Sequence, residues 1–437
     1  MKLLFKVIIS LFSVATANAQ ESIRFTNPDS LLAFAEQQSI ALKTGDAQIL
    51  LAKYQTLYAK INRFNPRASA NYAATNNSQL PVNFFPAEIF NGKPGTFKEV
   101  YTGKQYVQSV YLTPQIDVIN PVAWAELKSA KLGGQLTTIN NTLTKKTLFE
   151  SLAASYFNIV SFQQQITITS KTLLNADSIL KIFTNKYEQG IIRSQDVSNA
   201  KVNHLLVKNR LQLLQTATEQ QFNILKLLCD TDPTVTFIIE HQDNAAVLIQ
   251  DAVVSENILY ARQAQTQLQY SISEYKAGKA AHFPTLSFIG YWAKQQNSNL
   301  QFFDNTARWI PANYIGLRLS YTFPDAGRLY KTATAKANWK TAEMNLKHKE
   351  IQQKMEYLQL LIDYKKAKES MIITKEIRYL KEDIYRKNLN LFLQDIYPAD
   401  NLLSSFTDAL TASLDYQSAL INLQYQQSKI SINNSIQ

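Results

Sequence analysis

The placement of glycine and proline constrains this chain more than any other feature. Between Gln135 and Gln189 there is neither residue; Gly190 interrupts once, and the next clear run lasts to Asp232. From Arg328 to Tyr397 there is again neither, Pro398 interrupts, and Ala399 to Gln437 is clear. Glycine and proline are what break helices, so this punctuation predicts two pairs of very long helices, each pair joined by a tight turn. A helix of about seventy residues is on the order of 100 Å long, several times the diameter of a compact domain. A helix of that length has to span something.

Composition narrows the choice. Hydrophobic residues make up 46% of the chain, and no stretch after the N-terminus has eighteen consecutive apolar residues. A transmembrane helix in the mature chain is therefore not expected. The first nineteen residues read as a signal peptide: Lys2 and Lys6, an apolar Val7–Val14 run broken only by two serines, then Ala17-Asn18-Ala19 as an A-x-A cleavage site. Gln20 follows in place of a cysteine, so N-terminal lipidation is not available. The formal charge of +11 falls to about +9 once Lys2 and Lys6 are removed. Export and the lack of any block of five Lys or Arg argue against a nucleic-acid partner. Cys229 is alone, so no intrachain disulfide can form, and stability must come from packing or oligomerisation.

The second half of the chain repeats the plan of the first. A helical segment from Pro28 to Asn62 passes through Phe64-Asn65-Pro66 into an extended run, Arg67–Tyr72. Later a segment from about Asp251 to Ala281 passes through His282-Phe283-Pro284 into Thr285–Trp292. Loops follow, longer in the first half (Asn76–Lys104) than in the second (about Gln296–Ala312), and then a second extended run in each half, Tyr106–Leu112 and Tyr314–Tyr321. Each run ends near a proline, Pro114 or Pro324, before a long helix. The predicted organisation is a signal peptide over 1–19, a first repeat over 20–232, a linker over 233–250 with a small strand at Val235–Glu240, and a second repeat over 251–437.

Four extended runs decide the class. Ile315, Leu317, Leu319, Tyr321 and Phe323 alternate with Gly316, Arg318, Ser320 and Thr322, a period of two that gives one apolar and one polar face. Leu286, Phe288 and Trp292 make a second apolar row. Such strands fit either a membrane barrel or two soluble hairpins capping a helical stalk. Four strands cannot close a barrel, and lipid leaves open sheet edges without partners, so insertion requires that copies share one barrel. Two copies give eight strands and three give twelve. Heptad-like spacing at Ile373, Ile377, Leu380 and Ile384, at Leu403, Phe406 and Leu410, and at Leu136, Ile139 and Leu143 favours lateral helix packing.

With these elements in place the mature chain resembles the TolC-type outer-membrane efflux family over nearly its whole length. The likeness rests on the duplicated plan, on the helix-to-strand passages at Pro66 and Pro284, and on Leu319–Gly327, which is similar to the family's strand-to-helix junction. It rests most on Gly190-Ile191-Ile192-Arg193-Ser194-Gln195-Asp196-Val197-Ser198-Asn199-Ala200, which resembles the family's helical-hairpin tip. In that tip Gly190 supplies positive φ, Ser194 is placed to cap the next helix and Asp196 lies in its first turn. Gly190, Ile191, Ser194, Asp196, Val197 and Ala200 are thus either a docking surface for an adaptor or simply a well-made turn. The second tip, Gln394–Leu403, has Pro398 and no glycine; Asp400 stands in the place of Asp196, and a second acidic residue of some relatives falls at Leu403. Asp400, helped by Asp395, is the candidate tunnel-mouth gate, the alternative being that Asp400 caps its helix.

The resemblance implies a mainly α protein with membrane β: long antiparallel helical hairpins forming a tunnel, and four strands per chain contributed to a twelve-stranded barrel shared by a homotrimer. It implies outer-membrane localisation with a large periplasmic extension, contact with outer-membrane lipid, a periplasmic adaptor and an inner-membrane transporter as partners, and a role as the passive exit duct of an efflux or type I secretion system. Such a duct needs no cofactor. The competing reading is an exported coiled-coil scaffold or adhesin without a pore, which leaves the paired strands unexplained. No Walker loop, G-x-S-x-G, C-x-x-C or H-E-x-x-H occurs, and His204, His241, His282 and His348 lack metal-ligand spacing, so no enzyme and no metal site is expected.

Overall fold

The computed structural model describes residues 22–241, 253–323 and 325–436. The expected signal peptide, the linker residues 242–250 and Pro324 lie outside the described residues. Two compact units are present, and each draws on both halves of the sequence. One unit takes the chain up to Asp46, Asn140–Tyr260 and Glu350 onward; the other takes Ala47–Ile139 and Ala261–Lys349.

The chain order is β1 (Ser22–Phe25), α1 (Pro28–Gln38), α2 (Ile40–Asn62), β2 (Arg67–Asn76), β3 (Val82–Pro86), β4 (Phe97–Tyr101), β5 (Tyr106–Ile119), α3 (Pro121–Glu188) and α4 (Ser194–Leu228). It continues with β6 (Thr236–Ile239), α5 (Leu259–Ala280), β7 (Thr285–Ser298), β8 (Trp309–Ser320), α6 (Ala326–Leu393) and α7 (Ala399–Ser435). The long helices α3 and α6 each have 68 residues, about 100 Å at 1.5 Å per residue. Their starts are set by a capping side chain just before the helix. The Asn120 carboxamide oxygen accepts from Ala123 N–H at 3.1 Å, and the Asp325 carboxylate from Arg328 N–H at 3.1 Å. The acid or amide at each strand-to-helix junction is therefore an N-cap.

Helix α3 begins earlier than the clear run that starts at Gln135. Gly133 and Gly134 lie inside it, where Cβ atoms would make only ordinary contacts, 3.6 Å from Tyr270 and from Thr56. The segment from Pro28 to Asn62 is two helices, not one. Ser39 is extended (φ −56, ψ 121) and wholly buried, and the start of α2 is capped from afar by Asp230, whose carboxylate accepts from Ile40 N–H at 2.8 Å.

In the unit holding Ala47–Ile139 and Ala261–Lys349, four strands form one antiparallel sheet in the order β2-β5-β7-β8. All four are longer than the alternating runs predict. Pro114 does not end β5: it sits opposite Ala68 on β2, while the ladder to β7 skips Thr113 and Pro114. The ring of Trp292 covers Gly290 there, so that a Cβ on Gly290 would lie 2.5 Å from the indole and 3.1 Å from Pro114. The long first-half loop carries the separate β3–β4 hairpin.

In the other unit β1 pairs in parallel with β6, the strand expected in the linker. Its helices pack around Tyr156, Leu152, Ile159, Leu225, Leu414 and Leu423, all at 1% exposure or less. The three heptad-like stripes have different fates. Leu403, Phe406 and Leu410 of α7 are buried and Ile139 of α3 is buried, but Ile373, Ile377, Leu380 and Ile384 of α6 are exposed.

Candidate functional site

The first helical-hairpin tip joins α3 to α4. Gly190 has φ +74 and ends α3 with two backbone bonds, Gly190 N–H to the Tyr187 carbonyl and Ile191 N–H to the Lys186 carbonyl, both at 2.9 Å. This is the closure that a left-handed residue makes possible. The next helix begins at Ser194, with Arg193 as its cap. Ser194 is thus the first helical residue and not the cap, because Asp196, third in the helix, reaches back to accept from Arg193 N–H at 2.9 Å. That bond satisfies a donor the helix leaves orphaned and sets a negative charge at the positive end of the dipole. Val197 packs against the hairpin core, Ala200 is buried within it, and Ile191 is 47% exposed at the turn.

The second tip makes the same turn without glycine. Asp395 has φ +61, its N–H bonds the Phe392 carbonyl at 3.1 Å, and Ile396 N–H bonds the Leu391 carbonyl at 3.0 Å. Asp395 is therefore the counterpart of Gly190. Its carboxylate pairs with Lys186 of the first hairpin, and the Lys186 ammonium also lies 5.2 Å from the centre of the Phe392 ring. Asp395, expected to help a tunnel-mouth gate, is thus held in an ion pair with Lys186.

Helix α7 begins at Ala399 after Pro398, which makes no side-chain cap. Asp400 is second in its helix, one position earlier than Asp196 in α4, so the two do not occupy equivalent places. Asp400 is exposed and accepts from Asn199 Nδ2 at 3.2 Å, tying the two tips together. Leu403, where relatives place a second acid, is 5% exposed and belongs to the core. That core joins the ends of α3, α4, α6 and α7 through Ile179, Phe183, Phe392, Leu402 and Phe406, with Phe183 and Phe392 stacked at 4.9 Å. Sequence reasoning missed Lys186, Arg193 and Asn199. Only the asparagine-like tolerance of aspartate for positive φ hinted at Asp395.

The four-stranded sheet is the second functional element. Cross-strand register puts Leu286 with Leu319 and Phe288 with Leu317, then Ile116 with Phe288 and Leu112 with Trp292, then Ala70 with Leu112. One face is therefore apolar across all four strands, and Ile315, Leu317 and Leu319 on it are 66–69% exposed. Aromatic residues gather at both ends of the apolar band. Tyr72 stacks on Phe303 and Tyr106 meets Phe302 at one end, while Phe283, Tyr321 and Phe323 are exposed at the other. The opposite face carries Arg67, Ser69, Thr113, Gln115, Asp117, Ser287 and Arg318. Both edges of this sheet, on β2 and on β8, are without a strand partner among the described residues.

Three of the four histidines make ordinary contacts. His204 bonds Asp177 at 2.8 Å, His241 lies between Tyr156 and Gln424, and His282 meets Thr332. Among the described residues no cluster of His, Cys, Asp or Glu could hold a metal, and no helix is long and apolar enough to cross a membrane. Cys229 is buried, which with the neighbouring Asp230 pushes its thiol up to about 12.

A sequence profile of the family described as Outer membrane efflux protein matches residues 125–229, the stretch that holds the first tip. The search of curated proteins returns no match. Among solved structures, the outer membrane protein VceC of Vibrio cholerae is 16% identical over 93% of this chain and 94% of its own, with a TM-score of 0.73. The CmeC outer membrane channel of Campylobacter jejuni is 12% identical over 93% and 85%, with a TM-score of 0.74. The MtrE outer membrane channel of Neisseria gonorrhoeae, in its open state, is 14% identical over 93% and 88%, with a TM-score of 0.63. At these identities the likeness establishes the fold.

Proposed function

We propose that this chain, which carries the TolC-type outer-membrane efflux fold, is one protomer of an outer-membrane exit duct for an efflux system. The observation that carries the proposal is the four-stranded sheet with one apolar face and two open edges. The strand directions alternate from β2 to β8, so the β8 edge of one copy meets the β2 edge of the next in antiparallel sense. Identical copies can therefore continue the sheet until it closes. Closure removes the unpaired backbone groups that lipid would not tolerate.

Three copies give twelve strands, the number that the family resemblance implies. The exposed stripe Ile373, Ile377, Leu380 and Ile384 on α6 supports the same assembly, because a row of aliphatic side chains at heptad spacing calls for a neighbouring helix. In this reading the apolar face and its aromatic ends lie in the outer membrane, and the helices reach into the periplasm. A periplasmic adaptor docks on the first tip, around Gly190, Ile191, Ser194, Asp196, Val197 and Ala200, and an inner-membrane transporter supplies the cargo. Asp400 contributes a ring of carboxylates at the tunnel mouth.

A pore-free scaffold has no use for a sheet face that leaves Ile315, Leu317 and Leu319 66–69% exposed. Carbonate extraction separates the two readings, since a scaffold washes off and an integral barrel stays with the membrane. Light scattering of the detergent-solubilised protein is expected to return a trimer mass. A monomer mass would overturn the shared barrel.

A further inference from the structure

We infer that the polar face of the four-stranded sheet holds a binding site for organic anions that carry an aromatic ring, built from Arg67, Arg318 and Tyr314. The inference rests on the duct reading, which makes this face the wall of the pore, and it names the class of solute that the wall favours.

The register brings the parts together. Arg67, at the start of β2, lies opposite Gln115 on β5; Gln115 lies opposite Ile289 on β7; and Ile289 lies opposite Gly316, two residues before Arg318 on β8. Both arginines thus stand at the same end of the sheet and on the same face. They line one cavity of about 360 Å³ together with Ser69, Thr113, Gln115 and Tyr314. Hydroxyl and carboxamide groups lie between the two guanidinium-bearing strands.

Neither arginine has a carboxylate partner among the described residues, although one stands nearby. Asp117 is the sole Asp or Glu in the four strands. It is 3% exposed, and its oxygens accept from Asn65 and Asn120 at 2.9 Å, from Ser287 at 2.7 Å and from Gln115 at 3.3 Å. The acid is consumed in pinning the helix-to-strand passage, and both arginines remain exposed and unpaired. A guanidinium offers a planar fork of donors that matches a carboxylate, sulfonate or phosphate. Two of them with no internal acceptor form a site for an anion.

The aromatic part follows from the next rows. Tyr111, Tyr291 and Tyr314 form a ladder across three strands on this same face, with ring centres 6.0 Å and 5.1 Å apart. Tyr314 lines the cavity as well as the ladder. A flat ring bound at the arginines would lie against it, in the offset stacking that aromatic pairs prefer. Arg67 and Arg318 also sit on the two edge strands. Closure of the sheet by neighbouring copies joins these two edge strands at each seam. Basic groups on a narrow, low-dielectric wall raise the local concentration of anions.

The test uses the full-length protein and 1,5-naphthalenedisulfonate as probe, with sulfate as the non-aromatic control. Calorimetry on detergent-solubilised protein at low salt is expected to detect disulfonate binding. The Arg67→Gln/Arg318→Gln double variant should weaken it by about tenfold or more, since charge-assisted bonds are roughly twice as strong as neutral ones. Tyr314→Ala should weaken disulfonate binding and leave sulfate unaffected. In planar bilayers the disulfonate should block current through the wild type, the double variant should resist block, and the variant's reversal potential should move toward cation preference. Failure of the wild type to bind the disulfonate, or unchanged binding by the double variant, overturns the site. Binding without any conductance would instead overturn the duct reading and leave the anion site standing.

Discussion

Replacing Gly190 with valine tests whether the first tip does more than turn the chain. A Cβ at Gly190 would meet nothing within 4 Å, so the substitution creates no clash. The whole cost lies in the backbone, which holds φ at +74. An L-residue in that region costs about 1–2 kcal/mol, and a β-branched one sits at the upper end. The tip core beneath contains Phe183 and Leu402, both fully buried, and burying one such side chain contributes about 1.5–3 kcal/mol. The strain is therefore too small to unfold the hairpin but large enough to distort the turn. It would be relieved by opening the bonds from Gly190 N–H and Ile191 N–H, which moves the exposed Ile191. Asparagine tolerates the left-handed region, and Asp395 already occupies it at φ +61 in the second tip. Gly190→Asn should thus behave nearly as the wild type, Gly190→Ala should be intermediate and Gly190→Val worst. The assay is site-specific crosslinking to the periplasmic adaptor together with efflux in cells, on variants shown by light scattering to assemble. A correctly assembled valine variant with wild-type crosslinking and efflux would refute the docking role. Equal impairment by asparagine and valine would refute the φ argument.

Two further outcomes are expected. Asp400→Ala should reduce the cation preference of single channels at about 10 mM salt, and the effect should fade near 0.1 M as the Debye length falls from about 30 to about 10 Å. Asp196→Ala should change it less, costing instead about 0.3–1 kcal/mol at the start of α4, where its carboxylate accepts from Arg193 N–H; equal shifts in reversal potential would refute this division of roles. Cys229, wholly buried with its thiol pushed up to about 12, should resist maleimide from pH 7 to 9 in the native protein. The folded state disfavours the reactive thiolate, so reaction should appear only on unfolding, and prompt native labelling would contradict the burial.

The features legible in the sequence are those set by local rules. Two runs without glycine or proline foretold α3 and α6, and Gly190 and Pro398 marked the tips, because helix continuity depends on a residue and its near neighbours. The alternation from Ile315 to Leu319 foretold an apolar sheet face, because side-chain direction along a strand is fixed by its period of two. Extents were less legible. Pro114 and the Gly133-Gly134 pair looked like breaks, yet β5 and α3 run through them where neighbouring strands and helices accept the missing donor or the missing side chain.

What only the tertiary structure decided were relations between residues far apart in the chain. The pairing of Lys186 with Asp395 spans 209 positions, and that of Asn199 with Asp400 spans 201. Nothing local could show that Asp395 takes the left-handed place of Gly190, or that Asp400 stands one step earlier in its helix than Asp196. Nor could periodicity tell which heptad stripe is core: those of α6 and α7 read alike, but Leu403, Phe406 and Leu410 are buried while Ile373 and Ile377 are exposed. A stripe fixes which residues share a helix face, whereas the partner for that face is chosen by how whole hairpins pack. The same holds for Arg67 and Arg318, which become neighbours of one cavity only once β2, β5, β7 and β8 have come into register.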